Sequence, residues 1–275
     1  MPFSDHCEPL LDAVGSEQRL LEALVELLNR NRLRYFEIRR LSPAANVGLI
    51  AATTSRPYYY HLIDLSPDLD TLFRNCHKDS TQRKIHRARR EGLKYDEGSS
   101  QKLVNEFFQL QLITRHRHGL PPQPKAWFQN VVNCLEDSVK IRVAYQGSQA
   151  IAAILTVNHK TTMMYKYGCS DARFHNLGGM HMLFWRMIQE AKEGGFSNID
   201  LGRSDPSGTG LITFKDRWGS TRYELNYSRC RPSRSPEIAY DSDFERRAGC
   251  VKRIISCLPQ SITIAAGRLL YRHIG

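Results

Sequence analysis

Hydrophobic and polar positions alternate along this chain in two different periods, and the change of period marks the elements. Leucines recur at helical spacing in SEQRLLEALVELLNRN, predicting a helix over 16–31. RYFEIRRL (34–41) and YYYHLIDL (58–65) are dense in aromatic and branched residues and read as strands. The segment between them, SPAANVGLIAATTSRP, reads as loop with one short strand. From 68 the period is helical again, first in DLDTLFRNC and then in STQRKIHRARREG, with Ser80 as the expected N-cap and Gly92 just past the end. KYDEG reads as a short strand.

Residues 100–119 form a longer helix with Leu103, Phe107, Leu110 and Thr114 on one face; LPPQP ends it, and 124–137 predicts another. SVKIRVAYQG, SQAIAAILTVNHK and TTMMYKYGCS are three strands joined by short polar turns, an antiparallel meander. DARFHNLGG reads as loop. A helix follows over about 178–194, its apolar face Leu177, Met180, Phe184, Met187, Ile188 and Ala191, closed by Gly194 and Gly195. SNIDL is a strand, a Gly/Ser/Pro loop and a short helical turn follow, and TRYELNYS reads as one last strand. Residues 231–248 read as a polar linker before a basic amphipathic helical tail.

Composition changes this picture in one respect. Apolar residues are 41% and charged residues 24% of 275, ordinary for a folded protein. Lys and Arg number 39 against 28 acids, a net +11, which suits an anionic partner: a phosphate-rich cofactor, a nucleic acid or an acidic surface. The seven cysteines, at 7, 76, 134, 169, 230, 250 and 257, form no Cys-x-x-Cys pair, and the expectation is reduced thiols in a cytoplasmic protein. Residues 1–15 lack the basic-then-apolar order of a secretory signal. The longest uncharged tail stretch, 254–267, holds 14 residues and a proline, too short to span a bilayer.

Four stretches carry a family resemblance: STQRKIHRARREGLKY (80–95), ITRHRHGLPPQPKAWF (113–128), YKYGCSDARFHNLGGMHMLFWRMIQEAKEGG (165–195) and IDLGRSDPSGTGLITFKDRWG (199–219). Their order and spacing over roughly 60–228 resemble the Gcn5-related N-acetyltransferase (GNAT) core, and more closely its FemAB-like branch, acyl- and aminoacyl-transferases linked to cell-envelope and exopolysaccharide metabolism. The resemblance implies an α+β fold with a mixed, mostly antiparallel sheet flanked by helices. It also implies a division into a partial N-terminal GNAT-like unit (1–66), a complete FemAB-like domain (67–230), and a linker with a C-terminal basic helix (231–275). Family members often carry two tandem GNAT-like domains, whereas about 65 residues precede the second here.

The same resemblance assigns a donor-phosphate role to the turn at Arg173, Asn176, Leu177, Gly178 and Gly179. A helix start offers free N–H groups and a positive dipole end, and glycines let a phosphate come close. A plain strand-to-helix turn needs the same small residues. Arg83, Arg87, Arg90 and Lys94 fall at i, i+4, i+7 and i+11, and residues 74–94 hold eight Lys/Arg against two acids, suiting substrate phosphates or a solvated helix face. Arg115 in RHRHGLPP reads as a substrate contact or as a cation at a helix C-terminus. No third ligand completes a metal site with His116 and His118.

Amide formation needs a cation or N–H group where negative charge grows on the attacked carbonyl oxygen. Lys215 is the expected cation, Arg203 with Ser204 the expected clamp on a phosphate or carboxylate, and Asp200 or Asp205 the expected orienting or proton-accepting carboxylate. A salt-bridge network stitching the loop to the sheet is the bland reading of the same charges. The expectation is direct acyl transfer from acyl-CoA to an amine acceptor on an envelope or exopolysaccharide precursor. One alternative uses aminoacyl-tRNA; another is a non-enzymatic, truncated binding protein. The basic tail packs onto the domain or touches an anionic membrane surface.

Overall fold

The computed structural model describes residues 5–12, 16–41, 52–54, 57–231 and 242–272. The chain divides into two compact units. One comprises 1–60, 203–212 and 222–241, and the other 61–202, 213–221 and 242–275.

The first unit holds helix α1 (Ser16–Arg30) and a three-stranded antiparallel sheet. The sheet sets β10 (Tyr227–Cys230) between β1 (Phe36–Arg39) and β2 (Ala52–Thr54). Glu37 bridges Arg39 on its own strand and Arg229 on β10. Burial pushes the Glu37 carboxyl upward, but the two guanidiniums outweigh it and hold the group below its usual range.

The second unit holds most of a seven-stranded sheet in the order β4-β5-β6-β7-β8-β3-β9. Its strands are β3 (Tyr58–Asp64), β4 (Lys94–Gly98), β5 (Val139–Gln146), β6 (Gln149–His159), β7 (Thr162–Ser170), β8 (Asn198–Ser204) and β9 (Thr221–Leu225). The predicted meander is present: β5, β6 and β7 pair antiparallel, with a bulge where Leu155 and Thr156 meet β7. β7 and β8 pair parallel, the pairing a crossover helix permits.

Helices cover both faces. Leu72 of α2 (Leu69–Asn75), Ile85 and Ala88 of α3 (Arg83–Arg90) and the apolar stripe of α6 (Gly179–Glu193) share one core with Ile154, Met163 and Ile199 of the sheet. Phe184 lies at its centre, stacked on Trp218 at 5.1 Å and edge-on to Phe214. On the other face Leu103, Phe107 and Leu110 of α4 (Gln101–Arg117) and Phe128 of α5 (Lys125–Leu135) pack on Ile141, Val143 and Leu155. At one end of the sheet Arg142, 1% exposed, bonds Glu190 at 2.6 Å and Thr156 at 2.8 Å, and Lys140 joins Glu97.

The α+β class, with a mostly antiparallel sheet between helices, is thus observed. Six local expectations are corrected. Ser80 is not an N-cap: it lies inside a π-helical turn, Lys78–Gln82, whose cap is His77, with Gln82 tying the turn to the Phe73 and Cys76 carbonyls. Lys94 leaves the helix face, because Gly92 adopts φ +64 and the chain turns into β4, where Lys94 pairs with Tyr145. DARFHNLGG is not open loop: Asp171 caps a 3-10 helix, Ala172–Leu177. TRYELNYS is two strands in different sheets, parted at Asn226. The expected linker ends early, since α8 (Ser242–Cys257) begins within it; residues 232–241 lie outside the described residues. The tail is two helices, with Pro259 capping α9 (Gln260–Leu270).

Candidate active site

The parallel pairing of β7 with β8 covers only Thr162–Asn198, Met163–Ile199 and Met164–Asp200. Beyond it β7 runs on to Ser170 while still pairing β6. Thr114 of α4 pins that strand end: its hydroxyl donates to the Ser170 carbonyl at 3.1 Å and accepts the Ser170 N–H at 2.8 Å. The 3-10 helix and α6 start from this anchored end.

Gly178 makes the junction. Its backbone is left-handed, φ +83, and a Cβ there would fall 2.3 Å from the Lys84 carbonyl oxygen on α3. Only glycine meets both conditions without displacing α3. No side chain caps α6, so its first N–H groups, at Gly179, Met180 and His181, point out of the helix start without a capping partner.

Those three residues line a pocket of about 240 Å³, closed by Lys84, Ile151, Ala152, Ser170, Phe174, His175 and Phe214. Lys84 is the cation of this wall. His181 lies 5.8 Å from the rings of Phe214 and Trp218. Burial first, then the charges of Lys84, His175 and Arg217, push its pKa down to about 3, so the ring is neutral at physiological pH. His175 is lowered as well, by burial and then by Arg117 and Lys84. The Arg117 guanidinium can only donate, and it lies 3.3 Å from His175 Nε2. That nitrogen is therefore an acceptor, and the Ser170 hydroxyl donates to it at 2.8 Å. The pocket thus combines uncapped helix N–H groups, one lysine, two uncharged imidazoles and an apolar floor. Such a wall suits a phosphate joined to an uncharged reactive arm.

Of the residues singled out from sequence, Gly179 lines the pocket and Gly178 shapes it. Leu177 is buried in the core and Asn176 is exposed. Arg173 is engaged elsewhere: its guanidinium grips Asp171 at 2.6 Å and holds that carboxyl below its usual range. Arg83 is exposed on α3, and Arg87 pairs with Glu91 one turn on. Arg115 donates to the Pro121 carbonyl at 3.0 Å and to the Tyr271 hydroxyl at 2.7 Å.

The charged loop divides. In the second unit Lys215 and Asp200 converge on Gly202: Lys215, 2% exposed, donates to its carbonyl at 2.8 Å, and the buried Asp200 carboxylate accepts its N–H. His61, fully buried, meets Asp216 at 3.1 Å beside them in sequence. In the first unit Arg203 lies 4.4 Å over the Tyr58 ring and donates to the Tyr227 hydroxyl at 3.1 Å. Ser204 is buried, and Asp205 closes a turn by accepting from Ser207. Among the described residues no group of three or more His, Cys, Asp or Glu is placed to hold a metal, and no helix is long and apolar enough to cross a membrane.

Sequence reading missed Lys84, His175 and His181. His181 had a usable signal, a histidine two residues past a glycine pair that starts a helix. Lys84 had none, being one of eight similar cations in its segment.

The sequence and the fold match known proteins. Residues 77–216, just over half of the chain, match the family profile described as the acetyltransferase (GNAT) domain. The chain belongs to that family and is an acyltransferase of the GNAT type. Among solved structures, FemX superposes with a TM-score of 0.62 at 13% identity, over 76% of this chain and 75% of that one. L-PGS from Bacillus licheniformis superposes at 0.56 and 14% identity, over 87% and 78%. The C-terminal domain of a putative lysylphosphatidylglycerol synthetase from Agrobacterium fabrum gives 0.54 and 15%, over 79% and 75%. These likenesses are of fold. No curated protein sequence matches the chain.

Proposed function

We propose that the pocket at the head of α6 binds the phosphate-bearing arm of an acyl donor, and that the chain passes the acyl group directly to an amine. The observation that carries this is the uncapped start of α6 opening, beside Lys84, on a pocket of about 240 Å³. N–H groups and a lysine together favour an anion there far more than either alone. Acyl-CoA is the preferred donor, since its pyrophosphate suits the helix start. The acceptor is an amine on a cell-envelope or exopolysaccharide precursor, as the resemblance to the FemAB-like branch implies.

Attack by a neutral amine builds charge on the acyl oxygen. The neutral imidazoles of His181 and His175 add no positive charge to the wall beside Lys84. Lys215 and Asp200, both clamped on Gly202, act as positioning residues that hold the end of β8 in place.

A second reading takes aminoacyl-tRNA as donor. It is favoured by the net charge of +11, by the exposed arginines of α3, and by neighbours whose name is that of a lysylphosphatidylglycerol synthetase. Isothermal titration separates the two. Binding of acetyl-CoA that Lys84→Ala weakens about tenfold supports the first. Binding only of aminoacyl-tRNA, falling steeply with salt, supports the second. If neither donor binds, the donor pocket is misassigned.

A further inference from the structure

Among the described residues, the two C-terminal helices pack through one side. On the inner side Thr263 and Gly267 are buried, and a Cβ on Gly267 would fall 2.1 Å from the Pro122 carbonyl oxygen. The His116 ring meets the Leu258 carbonyl at 3.2 Å, Arg115 bonds the Tyr271 hydroxyl, and Ile264 joins the core behind α4. This side of α8 and α9 is therefore seated on the second unit.

The other side is not what a water-facing surface would carry. Val251, Ile254, Ile262, Leu269 and Leu270 are all exposed, Ile254 to 61% and Leu269 to 62%. Val251 and Ile254 stand three residues apart, and Ile262 and Leu269 seven, so each pair shares one side of its helix. A helix with its apolar stripe already packed is expected to be polar on the opposite face. Clusters of exposed aliphatic side chains mark an interaction surface.

Charge decides what covers it. Lys252, Arg253, Arg268 and Arg272 are exposed on the same two helices, and the sequence from Arg246 to Gly275 has no Asp or Glu. Two copies of this face would bring like charges together, which disfavours self-association. Aliphatic residues among cations, with no acid after Glu245 in the first turn of α8, match the headgroup boundary of an anionic bilayer. We infer that the outer face of α8 and α9 docks the chain on an anionic lipid surface. The aliphatic side chains enter the headgroup boundary and the four cations pair with lipid phosphates. The inference is independent of the donor pocket.

The test is co-sedimentation of the full chain with vesicles of phosphatidylcholine alone and of phosphatidylcholine mixed with phosphatidylglycerol. Binding is expected only to the mixed vesicles and is expected to weaken as salt rises. Ile254→Asp combined with Leu269→Asp should cut it about tenfold or more. Lys252→Gln and Arg268→Gln, at exposed positions that leave the fold intact, should each cut it about fivefold. Near-ultraviolet circular dichroism checks that each variant is folded, and the charge variants decide the matter if the aspartate variant is not. Equal binding to neutral vesicles, no binding to mixed ones, or binding that the folded variants leave unchanged would each overturn the inference. A dimer in lipid-free sedimentation that the aspartate variant dissolves would assign the face to a second copy and overturn it too.

Discussion

Replacing His181 by Phe should make the protein markedly less sensitive to acid. His181 is held neutral by burial, with its pKa at about 3 against an ordinary 6.5. An unfolded chain therefore binds a proton that the folded chain refuses. The group's contribution to stability is fully present above pH 6.5 and is lost as pH falls toward 3. Integrated between about pH 8 and about pH 5, the loss is about 2 kcal/mol, with a limiting slope of about 1.4 kcal/mol per pH unit. Phe keeps a ring against Phe214 and Trp218 and removes the proton site. Urea unfolding followed by tryptophan fluorescence, at both pH values for both proteins, gives the four free energies needed. His175 and His118 are also lowered by burial and shift stability in the same direction, but they are present in both proteins and cancel in the comparison. The variant should lose about 2 kcal/mol less than the parent on acidification. Parallel losses would mean that His181 is protonated in the folded state, and the neutral wall assigned to the pocket would fall with it.

Other substitutions test the frame around the pocket. Gly178→Ala should cost about 2 kcal/mol or more from its left-handed backbone and the clash with Lys84, and should abolish donor binding; an unchanged melting temperature would refute the role given to this turn. Phe184→Ala removes a fully buried ring from between Trp218, Phe214 and Tyr165 and should destabilise by about 3–5 kcal/mol in urea unfolding. Arg142→Met leaves the neighbouring Glu190 and Glu97 carboxyls with Lys140 as their cation and should cost about 3 kcal/mol, whereas a neutral result would show that the charge cluster is dispensable. Arg173→Ala should leave acetyl-CoA affinity within about twofold of the parent, because its guanidinium is committed to Asp171. A loss matching that of Lys84→Ala would make Arg173 the phosphate cation after all.

The sheet and its helices were legible because their signals are local and redundant. The meander repeats an apolar period across two polar turns, and α4 and α6 each show an unbroken apolar stripe that the core then uses. Errors fell where two local signals competed. Ser80 carries a good capping side chain, but the His77 ring accepts the N–H of Ser80 itself, so the helical turn starts earlier, and Gln82 locks it in place. Lys94 continues a helical charge period on paper, yet Gly92 redirects the chain before it. TRYELNYS has the composition of one strand, and nothing in its residue types marks Asn226 as the point where it changes sheets.

The candidate site was legible only in the part built from consecutive residues. The glycine pair at 178–179 announces a helix start fit for a phosphate, and the pocket opens there. Its cation is a different matter. Arg173 is near in sequence and has the right charge, but Asp171 stands two residues away and captures it with both oxygens. The cation that reaches the pocket is Lys84, some ninety positions earlier on α3 and indistinguishable in composition from its neighbours. It is selected by geometry. Ile85 and Ala88 bury one side of α3 against α6, and Gly178 lets the Lys84 backbone lie against the turn. A sequence can advertise the anion-binding turn, because backbone N–H groups need only small residues and a helix to follow. It cannot advertise which of many lysines will stand over that turn, since this depends on how two helices pack. The charge run on α3 therefore serves two ends: most of its cations face solvent, and one is set by helix packing into the wall of the pocket.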